Sequence, residues 1–303
     1  AVVDKNLELA KSVAARFGAK AYASHADLLA AEELDLVSIC TPDYLHLEPA
    51  LAVAAKGIDL FIEKPIASRL EEGEAIAAAC DKAGVKLGIG YLLRFDPRYF
   101  GARELMRAGK IGTPISIYAR RNSARTEGPK RYGGTLPLAL HVTVHDIDLV
   151  LWMLEGQEPV SVYAQQTDML LGASGTQDSI SAIVRFSGGT VATFESAWIL
   201  PAGAMHMIVA RLEVLGTEGS FEVQCGDSGL YFADADRGVQ IDTQHWPVHG
   251  DVVGGDLREQ LGHMLGWLDG EPSQLATGVD AVKSLRLTRA MIVSAETGSV
   301  VKF

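Results

Sequence analysis

The sequence predicts two domains in tandem: an α/β domain on a parallel sheet over residues 1–92, and an α+β domain with an open, mostly antiparallel sheet over 93–303. Three observations carry this. Up to about residue 92, short apolar runs alternate with amphipathic helical stretches, the pattern of βαβ units. Beyond Tyr91 the strand signals alternate in polarity and are joined by glycine-containing tight turns, as in antiparallel hairpins. The 303 residues, 48% hydrophobic and 21% charged, suffice for two cores.

Val2-Val3 opens the first domain as a strand. Residues 5–17 then place Leu7, Ala10, Val13, Ala14 and Phe17 on one helical face, with Gly18 where a left-handed cap belongs. Ser24 and Asp27 start a short helix. The continuous apolar run Leu36-Val37-Ser38-Ile39-Cys40 is a buried strand that Thr41-Pro42 ends. A helix from about His46 to Lys56 stops at Gly57, and the strand Leu60-Phe61-Ile62 runs into Glu63-Lys64-Pro65. Ser68 and Glu71 have the spacing of a capping box before a helix to about Ala83, and Val85 to Gly90 is the next strand.

In the second domain Asp96-Pro97 caps and opens a helix to about Ala108. Strands follow around Ile115 to Tyr118 and Val160 to Ala164. Ser187-Gly188-Gly189 joins Asp178–Phe186 to Thr190–Trp198, and residues 216–219 join Leu212–Leu215 to Ser220–Val223. A helix from about Pro137 to Leu154 interrupts the strands, and helices near 256–268 and 279–296 close the chain.

Composition narrows the function. With 27 basic and 38 acidic side chains the formal charge is −11, which argues against a nucleic-acid partner. Cys40, Cys80 and Cys225 form no C-x-x-C and read as buried thiols, favouring a reducing compartment over a disulfide framework or a cysteine zinc site. The chain has no apolar run long enough to span a bilayer and no basic leader at Ala1-Val2-Val3-Asp4, so the expected location is cytoplasmic and no membrane partner is expected.

In an open parallel sheet, ligands bind beyond the carboxyl ends of the strands. Asp4, Thr41-Pro42 and Glu63-Lys64-Pro65 occupy such ends. An acid ending an early strand can accept hydrogen bonds from adenosine ribose hydroxyls, which makes Asp4 an argument for NAD over NADP; the same residue serves equally as a solvated helix cap.

The blocks Cys40-Thr41-Pro42-Asp43-Tyr44-Leu45-His46, Glu63-Lys64-Pro65-Ile66-Ala67, Gly90-Tyr91-Leu92-Leu93-Arg94-Phe95-Asp96-Pro97 and His145-Asp146-Ile147-Asp148, with the ending Thr297-Gly298-Ser299-Val300-Val301, resemble the Gfo/Idh/MocA family of sugar and polyol oxidoreductases. The resemblance spans essentially the whole chain. It implies a Rossmann-type first domain and a second domain whose open sheet supports homodimers or homotetramers. It also implies a strand and a Gly-x-Gly-x-x-Gly loop before the strand Val2-Val3, and this sequence contains no such loop, so the first βα unit is expected to be missing from it.

Lys64 is then the first catalytic candidate, its ammonium at the nicotinamide end of the cleft, aimed there by a cis bond before Pro65. A base role at neutral pH needs a downward shift of about 3 units, roughly 4 kcal/mol, whereas an orienting role needs none. His145 is the second candidate, accepting the proton of the substrate hydroxyl. Asp146 or Asp148 orients its ring or faces solvent. His141 stands four residues earlier, where many relatives carry an acid or an amide; it is a catalytic and substrate-binding candidate without a carboxylate to offer a sugar diol. A zinc reading of His141 and His145 lacks a third ligand, so no metal is assigned. Asp4, Thr41, Pro42, His46, Glu63, Lys64 and Arg94 are expected along NAD, with NADP possible. Tyr91, Arg120 and Asn122 are expected against a small sugar or polyol substrate, Trp198 either on the sugar or in the core, and residues 125–134 over the site as a loop. Two rival readings remain: a family enzyme that oxidises its substrate transiently with bound NAD for elimination or glycoside cleavage, and a non-catalytic, regulatory member that has lost cofactor use.

Overall fold

The computed structural model of the chain describes residues 1–124, 137–201, 203–204, 206, 208–226, 230–233, 238–240, 242–250 and 252–303. It divides into two compact units, Ala1–Ile89 and Gly90–Phe303.

In the first unit β1 (Val2–Val3) and β2 (Ala21–Tyr22) pair in parallel around α1 (Leu7–Arg16). β3 (Leu36–Ile39), β4 (Asp59–Ile62) and β5 (Leu87–Ile89) form a second parallel ladder with β4 in the middle, so the parallel strands lie in two ladders rather than one. α2 (His25–Ala31), α3 (Leu47–Ala55) and α4 (Leu70–Ala83) provide the crossovers. The core joins Leu60, Phe61 and Ile62 of β4 to Ala50, Val53 and Ala54 of α3 and Ile76 of α4, all 1% exposed or less. The small residues of α3 let the helix axis approach the strand closely, and the continuous apolar run of β4 is what burial on both faces requires.

Two expectations for this unit need correction. On α1 only Ala10 and Ala14 are buried, while Phe17 is 72% exposed, because two strands of two residues each offer the helix a narrow floor. Ser68 does not cap α4: the helix starts at Leu70 behind Arg69, and the Ser68 hydroxyl donates instead to Asp43 Oδ2 at 2.7 Å.

In the second unit Asp96 caps α5 (Pro97–Arg107) as expected, accepting from the Arg98 amide at 2.8 Å. The seven-stranded sheet consists of β6 (Pro114–Ala124), β7 (Pro159–Thr167), β8 (Ser179–Phe186), β9 (Val191–Leu200), β10 (Ile208–Gly216), β11 (Ser220–Cys225) and β12 (Val301–Lys302), in the order β11-β10-β6-β9-β8-β7-β12. Only β6 and β9 pair in parallel. One face is covered by α6 (Val144–Met153) and α8 (Gly278–Thr297); α7 (Gly255–Leu268) packs on the turn Leu92–Phe95. Strand alternation sends Ala164, Val184, Phe194 and Val214 to the covered face and leaves Tyr163, Ile183, Val191 and Leu215 exposed on the other.

The β10–β11 turn sits directly on residues 109–113. A Cβ added at Gly216 would lie 2.1 Å from the Ile111 carbonyl oxygen, a backbone atom that cannot swing aside. Gly216→Ala is expected to destabilise the protein by roughly 2–3 kcal/mol, read from the denaturant midpoint at unchanged slope.

Candidate active site

In the first unit Asp4 follows β1, Thr41-Pro42 follows β3 and Glu63-Lys64-Pro65 follows β4; β3 and β4 pair in parallel, so the last two segments leave the same end of one ladder. Asp4 is not the cap of α1: Asn6 fills that role, accepting from the Leu9 amide at 3.2 Å, while Asp4 Oδ1 accepts from the Asn6 amide at 2.7 Å. Thr41 and Pro42 are exposed. The Lys64–Pro65 bond is cis. Glu63 is half-buried, and that burial pushes its carboxyl above the usual range while the Lys64 ammonium pulls it back.

His46 differs from its expected place along the cofactor, for it is only 1% exposed. Its Nδ1 lies 3.1 Å from the Ile66 carbonyl oxygen and its Nε2 2.8 Å from that of Thr41. The ring therefore ties the loop after β3 to the loop after β4. The Ser68–Asp43 hydrogen bond joins the same two loops, so Thr41-Pro42 and Lys64 stand on a doubly connected base. Neither Asp43 nor Ser68 was among the sequence candidates, though the spacing that puts Asp43 and His46 on one turn after Thr41-Pro42 was the available signal.

In the second unit, Ala139–Thr143 forms a π turn that runs straight into α6. Such turns carry one extra residue in the helical ladder and concentrate at functional sites. From Leu138 to Val150 only His141 and His145 escape burial. Two imidazoles thus project from an otherwise buried helix, and the His141 ring lies 5.9 Å from that of Trp198. Trp198 itself is a core residue, 1% exposed, with its Nε1 donating to the Gln177 carbonyl.

Asp146 and Asp148 neither orient the His145 ring as expected nor face solvent. Asp146 accepts from Arg121 Nη2 and Nε at 2.9 and 3.0 Å. Asp148 accepts from Arg94 Nη2 and Nε at 2.7 and 2.9 Å, and Arg94 Nη1 also reaches Asp280 at 3.4 Å. Both pairs are buried, and the carboxylates hold the Arg94 and Arg121 guanidinium groups charged against the cost of burial. Burial raises the Asp148 carboxyl, and Arg94 opposes that rise.

Four candidates are therefore placed differently from expectation. Arg94 is committed to Asp148 and is not available to a dinucleotide. Tyr91 is 1% exposed, too deep to meet a substrate, and burial lifts its hydroxyl well above the ordinary tyrosine value. Arg120 and Asn122 lie on the sheet face opposite α6, because their neighbour Arg121 points to the helix and side chains alternate along a strand. On that open face Asn122 Nδ2 and the Tyr118 hydroxyl donate to Glu195 at 3.3 and 2.6 Å. Residues 125–134 lie outside the described residues. Cys40, expected to be buried, is exposed at the end of β3, whereas Cys80 and Cys225 are buried and the Cys80 thiol is pushed up to about 11.

Asp96, His245 and Asp256 form a separate group whose ligating atoms lie within 4.8 Å of one another. Arg98 donates to both oxygens of Asp96, and His245 Nδ1 lies 2.7 Å from Asp256 Oδ2. Arg98 thus already supplies a positive charge to Asp96, and His245 is engaged by Asp256.

A parallel-sheet domain with acidic, threonine-proline and lysine strand ends, followed by a domain presenting two imidazoles, defines a dinucleotide-linked oxidoreductase. Residues 1–91 match the model of the GFO/IDH/MocA oxidoreductase family with an NAD-binding Rossmann fold, and 99–222 match the GFO/IDH/MocA C-terminal domain. The chain belongs to this family, and it is an NAD-linked oxidoreductase; a non-catalytic role is not favoured. It is 29% identical to 1,5-anhydro-D-fructose reductase of Ensifer adhaerens over 92% of this chain and 83% of the relative. It is 31% identical to inositol 2-dehydrogenase of Rhizobium meliloti (strain 1021) over 73% of this chain and 66% of the relative. The same fold occurs in GenD2 from gentamicin A biosynthesis in complex with NAD, with a TM-score of 0.82 at 23% identity over 99% of this chain and 87% of that one.

Removing the His46 ring takes the donor from one of the two carbonyls, at about 1–3 kcal/mol, and leaves a void between the two loops that the buried ring fills. His46→Ala is expected to lower stability by roughly 2–4 kcal/mol in denaturant unfolding, where a surface histidine would move it by under about 0.5.

Proposed function

We propose that this protein transfers a hydride between nicotinamide and a hydroxyl-bearing carbon of a sugar, an inositol-like polyol or a sugar acid. The observation that carries the reading is the pair of imidazoles, His141 and His145, on a helix otherwise buried from 138 to 150. Membership beside an inositol 2-dehydrogenase and an anhydrofructose reductase supports the substrate class.

The residues of the first unit fit a dinucleotide. Asp4 offers a carboxylate to the ribose hydroxyls and repels a 2′-phosphate, which favours NAD over NADP. Exposed Thr41 and Pro42 line the strand-end edge, and Glu63 orients groups at the nicotinamide end. No glycine-rich loop occurs in the 303 residues, so no pyrophosphate contact is assigned to them. Bound nicotinamide supplies the hydride acceptor in one direction and the hydride donor in the other.

Lys64 hydrogen-bonds the reacting oxygen through its ammonium. In oxidation it orients the hydroxyl; in reduction it polarises the carbonyl, a task for which a charged amine needs no shift of its titration. His145 takes the hydroxyl proton as hydride leaves the carbon and returns it in the reverse direction, a transfer suited to an imidazole near neutral pH. His141 flanks it, donating to or accepting from a neighbouring substrate oxygen. With no carboxylate among the unburied residues of this helix face, recognition of a diol falls to single imidazole hydrogen bonds rather than a bidentate acid.

The open sheet face supports a homo-oligomer. Tyr163, Ile183, Val191 and Leu215 are 41, 53, 37 and 55% exposed on it, an apolar set that a second copy of the chain would cover. A cytoplasmic location is supported by thiols at Cys40, Cys80 and Cys225 that form no disulfide. No helix among the described residues is long and apolar enough to cross a membrane.

Two experiments test the reading. In the full-length protein, a panel of inositols, aldoses and uronic acids is assayed for nicotinamide reduction with NAD and NADP in parallel. Lys64→Ala and His145→Ala are each expected to lower kcat at least about 100-fold with dinucleotide binding by calorimetry retained; undiminished turnover in either sinks that residue's role. Tyr163→Glu with Ile183→Glu is expected to shift the protein to monomers in sedimentation, and an unchanged mass would place any interface elsewhere.

A further inference from the structure

We propose that the two buried ion pairs, Arg121–Asp146 and Arg94–Asp148, are positioning devices for His145, holding its imidazole at the angle and depth from which it handles the substrate proton. The inference rests on the reading of His145 given above and adds to it four residues that touch neither substrate nor cofactor.

Helix geometry makes the case. At 100° per residue, Asp146 projects about 100° around the axis from His145 and Asp148 about 300°, so the two carboxylates flank the imidazole on opposite sides of the helix. Each is gripped by two parallel N–H···O bonds of 2.7–3.0 Å. The grips come from different elements: Arg121 from β6 in the sheet, Arg94 from the turn Leu92–Phe95. Rotating α6 in either sense, or sliding it along its axis, therefore breaks a bidentate pair.

The arginines are themselves constrained. Arg121 Nη2 lies 3.3 Å from the Tyr99 hydroxyl oxygen, and Arg94 is stacked at 5.4 Å over Trp152 and held by Asp280 and the Gln274 carbonyl. Side-chain exposures of 4 and 1% for Arg94 and Asp148, and 7 and 4% for Arg121 and Asp146, exclude water from both pairs. Buried pairs of this kind add little stability over apolar residues of equal volume. What they add is geometry, because a bidentate fork accepts few orientations. The need arises locally: the π turn Ala139–Thr143 immediately before α6 departs from the α ladder, so the upstream helix alone does not set the angle of His145.

The test is a double-mutant cycle in the full-length protein, using the panel compound that is turned over fastest. Asp146→Asn, Asp148→Asn, Arg121→Lys and Arg94→Lys are each made with His145 present and in His145→Ala. With His145 present, kcat is expected to fall about 10–100-fold while KM stays within about twofold, since misplacing a proton acceptor by an ångström costs on the order of 100-fold. In His145→Ala the same substitutions are expected to change kcat by less than about twofold, because the group they position is gone. Equal proportional losses in both backgrounds overturn the proposal, as does loss of fold in the lysine variants, which keep the charge and surrender only the fork. Wild-type kcat in His145→Ala alone overturns the reading of His145 itself, a result distinct from either.

Discussion

Two aspartates buried two residues apart, on opposite sides of the inner helix of the second domain, have to be neutralised where they lie, and much of that domain is arranged around the requirement. An unpaired carboxylate at 1–4% exposure would cost several kcal/mol. Arg121 answers from the centre of the sheet, and its approach fixes the face that β6 turns toward the helix. Arg94 answers from the turn that follows the first domain, with Asp280 at the start of α8 and Trp152 at the end of α6 closing around it. The sheet, the turn and the long C-terminal helix thereby meet at α6, the element that carries both histidines.

The first domain solves a different problem by similar means. Its candidate site residues lie on loops, which are mobile unless tied down. His46 and the Asp43–Ser68 pair connect the loop after β3 to the loop after β4 through one ring, one carboxylate and one hydroxyl. Both domains thus use buried polar side chains to hold the segments that carry the candidate site residues, and the desolvation cost is offset because these side chains meet their partners at 2.7–3.1 Å.

Most of the fold was legible in the sequence because it rests on local rules. Continuous apolar runs gave β3, β4 and β5, alternation and glycine turns gave the β8–β9 and β10–β11 hairpins, and Asp96-Pro97 gave the start of α5. The misreadings at α1 and Ser68 came from partners far along the chain: a floor too narrow to cover Phe17, and Asp43 competing for a hydroxyl that local spacing had assigned to a cap.

The site divides along the same line. The sequence by itself determined the family, the strand-end positions of Asp4, Thr41 and Lys64, and the pairing of His141 with His145 on one helix, since residue type and period suffice for these. Only the tertiary structure decided that Arg94 and Arg121 serve Asp148 and Asp146, that His46 faces two carbonyls, that Tyr91 and Trp198 are core, and that Arg120 and Asn122 face away from α6. A charged or polar side chain is chemically able to meet solvent, ligand or partner. Which of the three it meets depends on groups 20 to 54 residues distant, as at His46 and Arg94, and no local pattern encodes that.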